Sequence, residues 1–115
     1  MQHTEIKSGT IIPVLNRLFK ALGDPTRRAL LGILREGERT AGELAEAFPL
    51  ARSTLSQHLR VLREAGLVEV EVRGNHRVYR LAASVMEEAL AYLLELTQGG
   101  EEDEETRAHR PSPGG

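Results

Sequence analysis

From residue 52 to residue 64, leucines at 55, 59 and 62 fall at i, i+4 and i+7 and are surrounded by polar residues, which predicts an amphipathic helix. Gly66 follows where a C′ residue stops such a helix, and Leu67 can fold back on its last turn. The period then changes to two. Val68, Val70 and Val72 alternate with Glu69, Glu71 and Arg73, the pattern of a half-buried strand. Gly74-Asn75 suits a two-residue hairpin turn, and Tyr79 and Leu81 return on the second strand. Upstream, Val14, Leu15, Leu18, Phe19 and Leu22 form a wide apolar helical face, with Pro13 in the first turn and Gly23 at the end. Asp24-Pro25 opens a second helix as N-cap and N1. Its inward residues are Leu30, Ile33 and Leu34, helped by Ala29 and Leu31, and Gly37 closes it. Thr40-Ala41-Gly42-Glu43 is a capping-box pattern that starts a short third helix, with Leu44, Ala45 and Phe48 inward and Pro49 barring continuation. Ser84 caps a last helix running to about Thr97.

The order is helix-helix-helix-helix-hairpin-helix, a mainly α architecture with one β-hairpin (α+β). Only a few residues join the third helix to the fourth, so these two form a helix-turn-helix, and the hairpin behind them makes it a winged one. A flexible arm is expected over 1–9, the folded domain over 10–97 and a disordered acidic tail over 98–115, where Glu101, Glu102, Asp103, Glu104 and Glu105 run together. The last helix carries apolar residues on more than one stripe. One stripe serves its own core, and the surplus calls for the same helix of a second copy, with the first helix sharing the seam. The expected homodimer residues are Val14, Leu15, Leu18, Val85, Ala89, Tyr92, Leu93 and Leu96.

Charge changes the picture through its placement. The chain of 115 residues has a formal net charge of −2. Between Arg17 and Arg80, however, twelve Lys/Arg stand against eight Asp/Glu, so a basic module lies between acidic flanks. There are no cysteines, which removes disulfides, thiolate metal sites and thiol redox chemistry. With two Phe and two Tyr, the chain lacks the aromatic surface of a single-strand stacking platform. No apolar run approaches a membrane span and no signal-peptide core is visible, so a soluble, unexported protein is expected.

With its leucines turned inward, the fourth helix displays Arg52, Ser53, Ser56 and Gln57, flanked by Thr54 and His58. A helix end of short polar and cationic groups fits a DNA major groove. Gln57 is the best candidate for a base, because its amide can pair with adenine, and Arg52 suits guanine or phosphate. Ser53 can also cap the helix. His58 is either a reader or a core-edge histidine bonded to backbone. At the hairpin tip Arg73, Asn75, His76 and Arg77 are placed to meet phosphates or a minor groove. Arg60 and Arg63 lie further along the helix, where carboxylates such as Glu64 could equally hold them.

The segments Phe19–Arg28, Gly42–Ala45, Ser53–Leu67 and Val78–Leu81 together resemble the ArsR/SmtB-type winged helix-turn-helix repressors over about residues 14–96. The resemblance implies a cytoplasmic homodimer that represses transcription from a pseudo-palindromic operator. It also implies that the helix at Arg52 is the recognition helix, and that the first and last helices build the dimer. Metal-sensing members often carry a cysteine pair near the third helix or His and carboxylate ligands on the last. Here Glu43–Phe48 has no thiol, and the last helix offers only Glu87, Glu88 and Glu95. No metal and no cofactor is therefore expected. The pattern is nearest the cysteine-free autorepressor (SdpR-like) branch, with a protein partner as inducer.

The function expected is sequence-specific binding of double-stranded DNA as a dimeric repressor, with autoregulation only what the resemblance implies. The alternative is a winged-helix module that docks a protein and binds no operator. An enzyme is not expected: the four histidines are scattered, and neither a Gly-rich phosphate loop nor a carboxylate pair in a cleft is present.

Overall fold

Helix α1 (Gln2–Leu22) begins well before the proline that the sequence places at its start. In the computed structural model, which describes residues 2–98 with side chains from residue 12, Pro13 lies inside α1. Residues 2–9, expected as an arm, continue that helix instead. Gly9 and Pro13 both lie within this helix, where the proline gives up one N–H bond and its ring crowds the carbonyl four residues back. The tail expected over 98–115 falls, beyond Gln98, outside the described residues.

Asp24 caps α2 (Pro25–Arg35) as the sequence predicts, its carboxylate accepting the Arg27 N–H at 3.1 Å, with Pro25 at N1. The face α2 buries is rotated from the expected one. Leu30, Leu31 and Leu34 are buried, Ile33 is half-buried and Ala29 is exposed. Thr40 and Glu43 form the full capping box of α3 (Ala41–Ala47): Glu43 N–H donates to Thr40 Oγ1 at 3.1 Å, and Thr40 N–H donates to Glu43 Oε1 at 2.8 Å.

Helix α4 (Arg52–Glu64) turns Leu55, Leu59 and Leu62 into the core. It ends in a Schellman motif. Gly66 N–H donates to the Arg63 carbonyl and Leu67 N–H to the Leu62 carbonyl, each at 2.9 Å, with Gly66 at φ +79°. Leu67 is completely buried, so the chain folds back on the last turn as expected.

The wing is β2 (Val68–Arg73) and β3 (His76–Leu81), paired antiparallel with Arg73 opposite His76. Gly74 has φ +60° and no non-glycine residue has positive φ, the signature of a type II′ turn. The sequence did not reveal a third strand. β1 (Arg39–Thr40) pairs with β3, placing Arg39 opposite Tyr79 and Thr40 opposite Val78, so the sheet order is β1-β3-β2. Two residues are too short for any period to register. Thr40 is thus at once a strand residue and the N-cap of α3.

Register sorts the wing side chains. Val68, Val70 and Val72 share a face with Leu81, Tyr79 and Arg77, while Glu69, Glu71 and Arg73 share the other with Arg80, Val78 and His76. Helix α5 (Ser84–Gln98) closes the chain and packs against α1. Of the residues expected at a dimer seam, Leu15, Leu18 and Ala89 are buried in the core of the single chain, and Val14 and Tyr92 pack against that core. The α1 and α5 stripes face each other within one copy, and this contact consumes those side chains. Val85 lies half-buried beside Gly66. Leu93 and Leu96 are exposed as expected, and Ile12, Leu90 and Leu94 join them.

Candidate nucleic-acid interface

At 3.6 residues per turn, the leucine stripe of α4 fixes where its other side chains go. Ser53 and Gln57 lie on the side opposite the leucines, and both are exposed. Arg52, Ser56, Arg60 and Arg63 follow one edge of the helix and face β3. There, with Ala41, Leu55, Leu59, Tyr79 and Arg77, they line a concavity of about 350 Å³. Four guanidinium groups border this slot and no carboxylate does. None of the four pairs with a carboxylate among the described residues. Arg60 and Arg63 join the expected Arg52 and Arg77 in the slot, on the helix edge that their spacing from Arg52 dictates.

The start of α4 is open. Its N-cap is Ala51, which has no side-chain acceptor, and Ser53 lies inside the first turn rather than at the cap. Capping by Ser53, one of its two expected roles, is not seen. Ser53 is exposed and the first turn has no side-chain cap, the arrangement that favours an external anion.

Thr54 is exposed on the opposite flank of α4, and His58 on that flank turns away from the slot. The His58 side chain is 16% exposed and lies against the α1–α2 corner, with Nδ1 3.1 Å from Arg27 Nη1 and 3.9 Å from Asp24 Oδ2. It is the core-edge histidine of the two expectations, but side chains hold it, not backbone. Burial pushes the Asp24 carboxyl up. Hydrogen bonds from the Arg27 and Thr26 N–H groups, with the charge of Arg27 and that of His58 when its ring is protonated, outweigh this and leave it below its ordinary value.

The wing tip separates in the same manner. Arg77 is on the slot face. Arg73, on the other face, is held by its own fold: its guanidinium donates to both oxygens of Glu38, at 2.7 and 3.2 Å, and to Glu71 at 3.1 Å. Arg80 completes the network with bonds to Glu69 at 3.2 Å and Glu71 at 2.9 Å. The Arg73 hydrogen bond is the main cause that lowers the Glu38 and Glu71 carboxyls, and in return Glu38, then Glu71, raises the Arg73 guanidinium. These pairs are exposed and add little to stability. Their effect is to neutralise the back of the wing. Asn75 and His76 are exposed at the turn, with His76 on the Arg73 face. The slot face therefore keeps its positive charge while the opposite face loses it.

Residues 22–71 match a family described as "Helix-turn-helix domain", a span that runs from the end of α1 into β2. The transcriptional repressor SdpR of Bacillus subtilis is 34% identical over 89 residues, 77% of this chain and 99% of that protein. The HTH-type transcriptional regulator CmtR of Mycobacterium tuberculosis is 38% identical over 100 residues, 87% of this chain and 85% of that one. Among solved structures, an ArsR-like transcriptional regulator from Rhodococcus sp. RHA1 superposes with a TM-score of 0.73 at 29% identity, covering 87% of this chain and 92% of its own. With helix order, wing and sequence in agreement over most of its length, the chain belongs to the ArsR/SmtB family of winged helix-turn-helix transcriptional regulators.

Proposed function

We propose that the chain is a sequence-specific repressor that binds double-stranded DNA in the cytoplasm, with Ser53 and Gln57 reading base edges and one DNA strand running through the slot between α4 and β3. The observation that carries this is the set of four guanidinium groups around that slot with no carboxylate among its lining residues. Like charges held together need counter-charge from outside, and a phosphodiester backbone supplies it at regular spacing. The relatives named above are regulators and not enzymes. Repression follows SdpR, and relief by a protein partner rests on the absent cysteines and the family resemblance.

Selection of bound duplexes from a random pool tests the reading, and two variants divide the interface. Gln57→Ala costs about 1–3 kcal/mol on the selected site and relaxes preference at one base pair. Arg77→Ala weakens binding to all sequences alike and flattens the salt dependence by about one unit. Equal losses on selected and random DNA for Gln57→Ala remove it from base readout, and an unchanged salt slope for Arg77→Ala removes it from the phosphates.

The working unit in this proposal is a homodimer in which α5, with Leu90, Leu93, Leu94 and Leu96 exposed, meets its copy. Two recognition helices then reach successive major grooves roughly 34 Å apart. Sedimentation is expected to return twice the chain mass of 12.7 kDa. Leu93→Glu is expected to give a folded monomer that has lost the selected site. A monomeric wild-type chain that binds this site with full affinity rules the dimer out.

A further inference from the structure

Arg27 stands where three helices meet. Its Nε donates to the Ala21 carbonyl at 2.8 Å and its Nη2 to the Lys20 carbonyl at 3.0 Å, both on the last turn of α1. Its Nη1 meets Nδ1 of His58 on α4 at 3.1 Å. Its own N–H is fixed by Asp24. One side chain thus ties the end of α1 and the start of α2 to the flank of the recognition helix.

Donor chemistry decides the state of the ring. A guanidinium has N–H donors and no acceptor, so Nδ1 of His58 has to accept and the ring proton belongs on Nε2. The charged groups that face this nitrogen are Arg27 at 3.1 Å and Asp24 at 3.9 Å. Lys20 of α1 gives the cluster its carbonyl, and the neighbours of His58 along its flank of α4, Thr54 and Val61, are uncharged.

We propose that the Arg27–His58 hydrogen bond is a positioning contact that fixes how α4 is rolled against α1 and α2, and that it holds only while the His58 ring is neutral. This rests on the DNA reading above. The leucine stripe beneath α4 is apolar and its attraction is non-directional, so it tolerates a small roll of the helix. The bond from Arg27 is directional and lies on the flank, where it opposes roll. Ser53 and Gln57, farthest from the leucines, travel most when α4 rolls. A proton on Nδ1 removes the acceptor and sets two cations side by side. The ring then turns toward the Asp24 carboxylate, which already serves as the cap of α2.

The test uses the full chain and His58→Asn, which keeps an acceptor near the Nδ1 position and does not titrate, with His58→Ala as the variant lacking any acceptor. Long-range proton–nitrogen NMR of the wild type without DNA, at about pH 7.5, is expected to show Nδ1 bare and Nε2 protonated. The reverse placement overturns the proposal. Affinity for the selected duplex is then followed from neutral pH down to about pH 5.5. Any change elsewhere in the chain is common to both proteins and cancels in their ratio. The Asn variant is expected to match the wild type within about two-fold at neutral pH and to bind about five-fold tighter at the acid end. His58→Ala is expected to bind weakly throughout. A ratio flat with pH, or an Asn variant as weak as the Ala variant at neutral pH, overturns the proposal. A wild type that binds no duplex sinks the DNA reading separately. The contact is then decided by the Leu55 and Leu59 methyl shifts, which are expected to move on acidification in the wild type and not in the Asn variant, and equal movement overturns it.

Discussion

Leu62→Ala is expected to lower the unfolding free energy by about 2–5 kcal/mol, the range for a buried leucine that leaves a partly collapsed cavity. Leu62 is completely buried, along with Leu30, Leu44 and Leu67. It also accepts, through its carbonyl, the Leu67 N–H that closes the end of α4. The side chain lost is therefore one that sets where α4 lies against the core, while the backbone bond that closes the helix is kept. Domains of this size have total stabilities of about 5–15 kcal/mol, so the variant is expected to be partly unfolded at modest urea concentrations. Urea titration measures the effect as a lower midpoint at unchanged slope. Val72→Ala, at a residue 70% exposed on the outer part of the wing, is the control and is expected to change stability by less than about 0.5 kcal/mol. A Leu62→Ala midpoint no lower than that of the control contradicts the packing described.

Gly66→Ala is expected to cost about 2–4 kcal/mol, from two sources of similar size. The backbone at φ +79° lies in the left-handed region, where a Cβ meets the following carbonyl. The added Cβ would also come within 2.8 Å of Val85 Cγ2 on α5, closer than any ordinary contact. The two sources separate in a double-mutant cycle. Val85→Ala removes the obstructing methyl, so Gly66→Ala made in that background is expected to retain only the backbone cost, a coupling of about 1 kcal/mol or more. Additive losses would place Val85 away from Gly66. Gly66 therefore both ends α4 and lets the last helix approach it.

Most of this architecture is legible in the sequence because it depends on periods and caps that are local. The leucine stripe of α4, the Asp24 and Thr40 caps, the Gly66 stop and the Gly74-Asn75 turn each need only a few neighbouring residues to identify. What failed to show needed partners distant in the chain. β1 exists because Arg39 and Thr40 find β3 some forty residues later. Arg73 and Arg77 look alike at a hairpin tip, yet strand parity puts them on opposite faces, and Glu38, from before β1, takes up the first of them. His58 looks like one more polar residue on a reading helix until Arg27 is brought to it. Apolar stripes on α1 and α5 do not say whether they meet within one chain or across two, and Leu15, Leu18 and Ala89 pack within one. Arg60 and Arg63 are a different case. Their place on the edge of α4 was readable, but whether carboxylates occupied them was not.

The shared role of Thr40 has a consequence for protein engineering. Because that residue is hydrogen-bonded into the sheet opposite Val78 and also begins α3, the hairpin is not a detachable appendage. Grafting the wing of a relative onto this scaffold as residues 68–81 alone would leave the donor hairpin facing a foreign edge strand and a foreign acid at position 38. A workable transplant has to carry residues 38–40 as well, and with them the first turn of α3.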